Sequence, residues 1–309
     1  MSFVRINNKI KVFDKYLSID GDKSLSIRWA LISSQSLSKS KSFNLLLSED
    51  VLSTLNSLKK LGVNVKLSKN FCQIQGVGLN GFKYRKNLVL DAGNSGTLGR
   101  LILGLLVHSK EDIKIKGDKS LSKRDFSRVT IPLTKFGAKF LSKGGKLPVI
   151  VKGTNKPRPI FYNEKNGSAQ CKSSVMMAAI NTKGETIIKA KKSRNHSELL
   201  FKHLGLPIKI LQKKKYDIIK IKGGQKIPSL NYRIPSDISS SAFFIVLTAL
   251  SKSSTLKIKN VNINPSRTGV IDILKKMGVR ISKKNLRNYK GEKIADLIIK
   301  SSKNLRSIK

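Results

Sequence analysis

Two octapeptides hold the residues best suited to chemistry. Gly21-Asp22-Lys23-Ser24-Leu25-Ser26-Ile27-Arg28 returns almost letter for letter as Gly117-Asp118-Lys119-Ser120-Leu121-Ser122-Lys123-Arg124. Each copy offers a flexible glycine, an acidic and small polar helix start, and fixed cations. Lysine and arginine form charge-assisted hydrogen bonds to phosphate and carboxylate, and arginine does so with a planar fork. The pattern therefore points to a phosphorylated or carboxylated small molecule. One octapeptide is a weak signal, and an echo within one chain is a stronger one.

The elements that must position these residues recur along the chain. The phrase Leu58-Lys59-Lys60-Leu61-Gly62-Val63 is echoed at Leu133–Ala138, Phe201–Leu206 and Leu274–Val279, each time with a glycine fifth, at Gly62, Gly137, Gly205 and Gly278. Glycine at that place reads as a helix C-cap, and a short apolar strand follows each copy. The glycines lie roughly seventy residues apart, a fixed period that marks repeated supersecondary units. The first helix of each unit starts near Ser24, Ser95, Ala169 and Ile238. The unit reads as β-α-β-α-β-β, and the chain holds four.

Within the first unit, Leu25, Trp29, Ala30 and Ile32 predict an amphipathic helix capped by Asp22 or Ser24. A short strand is expected over Ser42–Leu47, a helix over Glu49–Leu61, and a hairpin from Val63–Leu67 and Phe71–Ile74. Residues 1–19 alternate loosely through Phe3, Ile6, Ile10 and Val12, as a strand entering a loop.

Each first helix follows a small or polar phrase. Besides the octapeptide at Gly21, these are Asp91–Thr97, Asn166–Gln170 and Pro235–Ser239. Helix N-termini expose unpaired N–H groups and attract anions. Simple capping needs only Ser or Asp, yet Gly93 and Gly96 also flank Asn94, where glycine lets a ligand approach the backbone.

Composition limits the alternatives. The 309 residues suggest about two domains by length. Lys and Arg number 62 against 18 Asp and Glu, a net charge of +44. A nucleic-acid partner would explain such charge. The lysines are scattered, however, with no long basic run and few aromatics to stack bases, so a solvated basic surface is the simpler reading. That surface still concentrates anionic substrates. Cys72 and Cys171 lie far apart without metal-site or disulfide spacing. The N-terminus lacks a secretory h-region, and the apolar stretches Leu101–Val107 and Ala242–Leu250 are too short to span a bilayer. A soluble, cytoplasmic monomer is expected.

Five phrases together resemble the EPSP synthase family. They are Gly21–Arg28, Gly93–Arg100 (G-N-S-G-T-L-G-R), Gly117–Arg124, Ser168–Ser173 (S-A-Q-C-K-S) and Asn264–Gly269 (N-P-S-R-T-G). Ser193–Glu198 supports the bacterial subgroup that uses S-A-Q, and the likeness runs from about Lys9 to Lys309. The resemblance implies an inside-out α/β barrel fold of six βαβαββ units in two domains, four of them present here. It assigns residues 22–235 to a complete three-unit domain, and residues 1–21 with 236–309 to an incomplete second one.

The same resemblance implies transfer of an enolpyruvyl group from phosphoenolpyruvate to the 5-hydroxyl of shikimate 3-phosphate, by addition and elimination of phosphate. Lys23 matches the family lysine that touches both substrates, and is the candidate proton-transfer group. Ser24, Arg28 and Arg194 match shikimate 3-phosphate contacts. Ser168, Ala169 and Gln170 match contacts to that substrate's phosphate and ring. Asn94, Gly96 and Arg124 match the phosphoenolpyruvate subsite. No metal or organic cofactor, nucleic acid or membrane is implied.

Other readings weigh less. His196 suits a capping or structural role, Cys171 a small buried helix position, and Asp237 an N-cap. A UDP-N-acetylglucosamine enolpyruvyl transferase would share the fold, but its loop cysteine has no counterpart within 111–124. Relative to the family, Asp20, Asp125 and Ser236 replace two prolines and a glycine. The last two units, which supply an aspartate proton acceptor, a glutamate–arginine motif and further cations, have no counterpart before Lys309. The expectation is weak binding of shikimate 3-phosphate, and no turnover by this chain alone.

Overall fold

The computed structural model describes Arg5, residues 10–302 and residues 304–308. Of the expected N-terminal strand, Phe3 and Ile6 lie outside the described residues, while Ile10 and Val12 are exposed and precede the first strand. The chain divides into two compact units: Gly21–Ile234, and the segment up to Asp20 together with that from Pro235.

The elements in chain order begin with β1 (Asp14–Leu17), α1 (Lys23–Ser33), β2 (Lys39–Phe43), α2 (Glu49–Lys60), β3 (Asn64–Leu67) and β4 (Phe71–Gln75). Next come β5 (Leu88–Asp91), α3 (Gly96–Leu105), β6 (Ile113–Lys116), α4 (Lys119–Ser122), α5 (Ser127–Thr134), β7 (Lys139–Ser142) and β8 (Val149–Lys152). They are followed by β9 (Phe161–Glu164), α6 (Ala169–Asn181), β10 (Gly184–Lys191), α7 (His196–His203), β11 (Ile208–Gln212) and β12 (Tyr216–Gly223). The chain closes with β13 (Tyr232–Arg233), α8 (Ile238–Leu250), β14 (Thr255–Asn262), α9 (Gly269–Lys276), β15 (Arg280–Tyr289) and β16 (Glu292–Lys300). This is mixed α/β structure.

Among the described residues, the strands form four four-stranded sheets of one design. In each, a leading strand lies parallel to the strand after the first helix, and the last two strands add antiparallel, as in β5-β6-β8-β7 and β9-β10-β12-β11. The first repeat differs from the linear reading in one respect. Its leading strand is β13, which pairs Tyr232 with Ser42, whereas β1 pairs Asp14 with Thr255 in the sheet of the other unit. Parallel pairing needs a long crossover, so local sequence does not say which distant strand fills the edge.

The repeated glycines behave alike. Gly62, Gly137, Gly205 and Gly278 have φ of +83°, +110°, +67° and +96°, the left-handed conformation that ends a helix cheaply only at glycine. The hairpin of β3 and β4 forms as its alternation suggests. The strand expected over Ser42–Leu47 lies earlier, at Lys39–Phe43, because Asn44 takes a positive φ and breaks the run. The first helix is not amphipathic as expected. Every residue from Leu25 to Ser33 is buried, and so is Cys171–Asn181 of α6, as befits helices enclosed on all sides. Trp29, fully buried, donates its indole N–H to Leu230 O at 2.8 Å. The helix α3 packs on both α1 and α6. A Cβ at Gly104 would meet Ser174 O at 2.0 Å, so α3 and α6 approach as closely as backbones allow.

The other unit has its own core, built from Ile245, Ile258, Val261, Ile271, Leu297 and Ile299 among others. Its first helix, α8, is enclosed less completely than α1 or α6: Phe243 is 80% exposed and Leu250 69%. Among the described residues, no helix is long and apolar enough to cross a membrane.

Candidate functional site

The four first helices begin at Lys23, Gly96, Ala169 and Ile238, each behind a residue whose side-chain oxygen accepts a first-turn N–H. The acceptors are Asp22 (from Leu25, 2.9 Å), Ser95 (from Leu98, 3.2 Å), Ser168 (from Cys171, 3.2 Å) and Asp237 (from Ser239, 2.7 Å). Such a cap is worth about 1 kcal/mol and leaves other first-turn N–H groups facing outward.

Three of these starts belong to the unit Gly21–Ile234, and the candidate residues gather there. The densest group surrounds the start of α3. A Cβ at Gly96 would lie 2.8 Å from Arg100 Nη1 and 3.3 Å from Arg124 Nη1. Two guanidinium groups thus converge over a glycine at a helix N-terminus. Arg100 Nη1 also donates to Gln170 Oε1 at 2.9 Å, Gln170 Nε2 donates to Thr97 Oγ1 at 3.1 Å, and the guanidinium lies against the Phe126 ring. Partial burial, and next the neighbouring Arg124 and Arg128, lower the Arg100 pKa against the pull of Cys171 and Asp125. An anion would relieve that crowding of positive charge. Asn94 Nδ2 donates to Asp118 Oδ2 at 2.6 Å, which ties the Gly93 loop to the second octapeptide. The Leu121 N–H, then Asn94, hold the Asp118 carboxyl below its ordinary pKa.

The second group surrounds α1. Lys23 is exposed, and its Nζ stands 3.2 Å from Asp50 Oδ2 in the first turn of α2. Arg28 is 3% exposed. Its Nε donates to Ser197 Oγ at 2.9 Å, its Nη2 to Ser173 Oγ at 3.0 Å and its Nη1 to Ser24 O at 3.1 Å. The α6 helix joins the two groups, with Gln170 in one and Ser173 in the other. Ser168 and Ala169 form its cap and first position. Arg194 is exposed in the turn before α7.

The two octapeptides share the cap but not its consequence. Asp22 starts the eleven-residue α1, whereas Asp118 caps only one turn, α4, through Leu121 N–H at 2.6 Å. Lys119 and Ser120 are exposed. Asn264–Gly269 lies in the other unit, where Arg267 Nη2 reaches Asp237 Oδ1 (3.3 Å) and Ser239 Oγ (2.8 Å) at the start of α8. Asp237 is thus an N-cap as expected, while His196 and Cys171 are buried. Both cysteines are free, and burial raises the Cys171 pKa.

The sequence motifs assign no role to Asp50, Ser173 or Ser197, and to Asp118 only a helix start. Carboxylates and serines of this kind are common, and only tertiary contact marks them. A cavity of about 600 Å3 lined by Gln35, Leu37, Leu79 and Ile227 lies at the opposite end of α1 from Lys23, apart from these groups. Among the described residues, no cluster of His, Cys, Asp or Glu is built to hold a metal ion.

Comparison with known proteins agrees with this picture. Residues 8–304 match the family described as EPSP synthase (3-phosphoshikimate 1-carboxyvinyltransferase). A 3-phosphoshikimate 1-carboxyvinyltransferase of Ruthia magnifica subsp. Calyptogena magnifica is 42% identical over 286 residues, 92% of this chain and 65% of that protein. One from Caldicellulosiruptor bescii is 39% identical over 310 residues, 99% of this chain and 70% of that protein. The solved EPSP synthase of Acinetobacter baumannii superposes with a TM-score of 0.86 at 36% identity, covering 96% of this chain and 66% of that one. The chain thus spans about two thirds of the length of the relatives it matches. It belongs to the EPSP synthase family.

Proposed function

We propose that the chain carries the anion grips of a 3-phosphoshikimate 1-carboxyvinyltransferase. The reaction moves the enolpyruvyl group of phosphoenolpyruvate to the 5-hydroxyl of shikimate 3-phosphate, with release of phosphate, in aromatic amino-acid biosynthesis. The observation that carries this reading is the convergence of Arg100 and Arg124 over Gly96, linked by Gln170 to the start of α6. Two highly charged substrates must be held side by side, and here two helix N-termini and two guanidinium groups meet.

In this reading Asn94, Gly96 and Arg124 hold the phosphoenolpyruvate anion. Ser24, Arg28, Ser168, Ala169 and Arg194 hold shikimate 3-phosphate, with Arg28 acting from within the protein through Ser173 and Ser197. Gln170 lies between the two. The hydroxyl of shikimate 3-phosphate attacks C2 of the enol while a proton is added at C3. The tetrahedral intermediate then expels phosphate and loses a C3 proton. Lys23, with Asp50 beside it, is placed to move a proton, and the arginines stabilise charge on the leaving phosphate. The finer architecture is the inside-out enolpyruvyl-transferase barrel, of which these four repeats are part. The protein is read as a cytoplasmic monomer without a metal or organic cofactor.

Isothermal calorimetry tests the reading. Saturable heat with shikimate 3-phosphate, reduced in Arg124→Ala when phosphoenolpyruvate is added, supports it. No heat at millimolar ligand, with salt-dependent retention on DNA, would favour a nucleic-acid partner instead.

A further inference from the structure

One buried ion pair lies beside the site and takes no part in it. Lys172 sits on α6, two residues beyond Gln170, and Glu198 sits on α7, four residues beyond Arg194. Their Nζ and Oε1 are 2.5 Å apart, and the side chains are 1% and 3% exposed. The contact is short but poorly aligned: Lys172 Nζ and Glu198 Oε2 have no hydrogen-bond partner among the described residues. Each charge therefore depends chiefly on the other.

Such a pair is a poor stabilising device, because desolvating two ions consumes most of the attraction between them. Its value lies in what it fixes. The next residue along α6 is Ser173, and the residue before Glu198 is Ser197. These two hydroxyls are bonded to each other at 2.7 Å, and both accept from Arg28. The ion pair and this network lie side by side, so α1, α6 and α7 are held in one register. The first turn of α6 carries Ala169 and Gln170, and the turn into α7 carries Arg194.

We propose that the Lys172–Glu198 pair is a positioning device. It sets the spacing between the start of α6 and the Arg194 turn so that both reach a single phosphate monoester. This rests on the function proposed above. Both side chains are buried, so the role proposed for them is positioning rather than catalysis.

The test replaces the pair with apolar residues of similar volume, Lys172→Met with Glu198→Leu, and separately exchanges the charges, Lys172→Glu with Glu198→Lys. Three readouts are taken on the full chain: Tm, amide hydrogen exchange, and calorimetric affinity for shikimate 3-phosphate. The apolar variant is expected to keep its Tm, because packing is retained. It should exchange faster over Ala169–Cys171 and Asn195–Ser197 and bind about tenfold more weakly. The exchanged pair should recover both properties in part. If the apolar variant does not fold, Lys172→Gln with Glu198→Gln, which leaves no buried charge, should show the same local exchange. Unchanged exchange in those two segments in a folded variant overturns the proposal. Failure of the unaltered protein to bind shikimate 3-phosphate would count against the proposed function, and the exchange data would still decide the role of the pair.

Discussion

Arg100 Nη1 stands 2.9 Å from Gln170 Oε1, a bond across seventy residues that ties α3 to the first turn of α6. It joins the motif G-N-S-G-T-L-G-R to the motif S-A-Q-C-K-S. Arg100 also reaches Asp125 O at 3.3 Å, beside Arg124. One side chain thus joins two of the five phrases that carry the family likeness and reaches the residue that follows a third.

Arg100→Ala should therefore weaken binding of both substrates. Losing one charge-assisted hydrogen bond to a partly buried amide costs about 1.5 kcal/mol, or about tenfold in affinity. Arg100→Lys should recover little, because the lysine lacks the fork that serves Gln170 and Asp125 together. Calorimetric titration of both variants checks this.

Gly96→Ala should keep the fold and lose anion affinity. The added Cβ meets the movable tips of Arg100 and Arg124 and no backbone. Thermal melting should shift by less than about 3 °C while phosphoenolpyruvate binding falls about tenfold. A large loss of Tm would show that Gly96 is needed for packing.

Lys23→Ala should weaken shikimate 3-phosphate binding about tenfold, and Lys119→Ala less than about twofold. Lys23 opens a long helix at the site, whereas Lys119 sits exposed on a single turn. Equal losses in side-by-side titrations would contradict this division of the octapeptides.

The repeat and its helix starts are legible in sequence because they rest on local chemistry. Asp22, Ser95, Ser168 and Asp237 cap the helices beside which they stand, and the four glycines end helices where only glycine is cheap. Local chemistry does not show the exchange of β13 for β1, since it depends on pairing between strands almost two hundred residues apart; only the family resemblance assigns residues 1–21 away from 22–235. Arg28 shows the same limit. Its motif suggests a surface contact to phosphate, yet the side chain is buried on two serines of the third repeat. The buried faces of α1 were also hidden, because Ser26, Arg28 and Ser33 mimic a polar, solvated stripe.

Acid should reveal His108. Burial lowers its pKa to about 4 from 6.5, so the folded protein keeps it neutral while the unfolded chain takes up a proton. The Thr182 hydroxyl donates to Ala178 O, which leaves His108 Nε2, 3.2 Å away, as the donor to Thr182 Oγ1. Its contribution is present above pH 6.5 and is lost as pH falls from 6.5 towards 4. Asp91, Asp118 and Asp296, whose pKa values are lowered, lose theirs only below about 4. His108→Asn should flatten the fall of Tm between pH 6.5 and 4.5 and leave the steeper fall below it.

Phe243→Glu should reduce hydrophobic dye binding and self-association without lowering Tm by more than about 2 °C. The ring is 80% exposed on α8, next to the exposed Leu247 and Leu250. Dye fluorescence and light scattering report the change.

In the proposed function, the starts of α1, α3 and α6 and the Arg194 turn form one anion site. Titrating the isotope-labelled protein with shikimate 3-phosphate, and following each backbone amide by NMR, tests it most directly. Saturable shifts are expected at Ser24–Ser26, Ala169–Cys171 and Asn195–Ser197, extending to Gly96–Leu98 once phosphoenolpyruvate is added. Shifts confined to scattered lysines, or to the cavity beside Gln35 and Leu37, would contradict it.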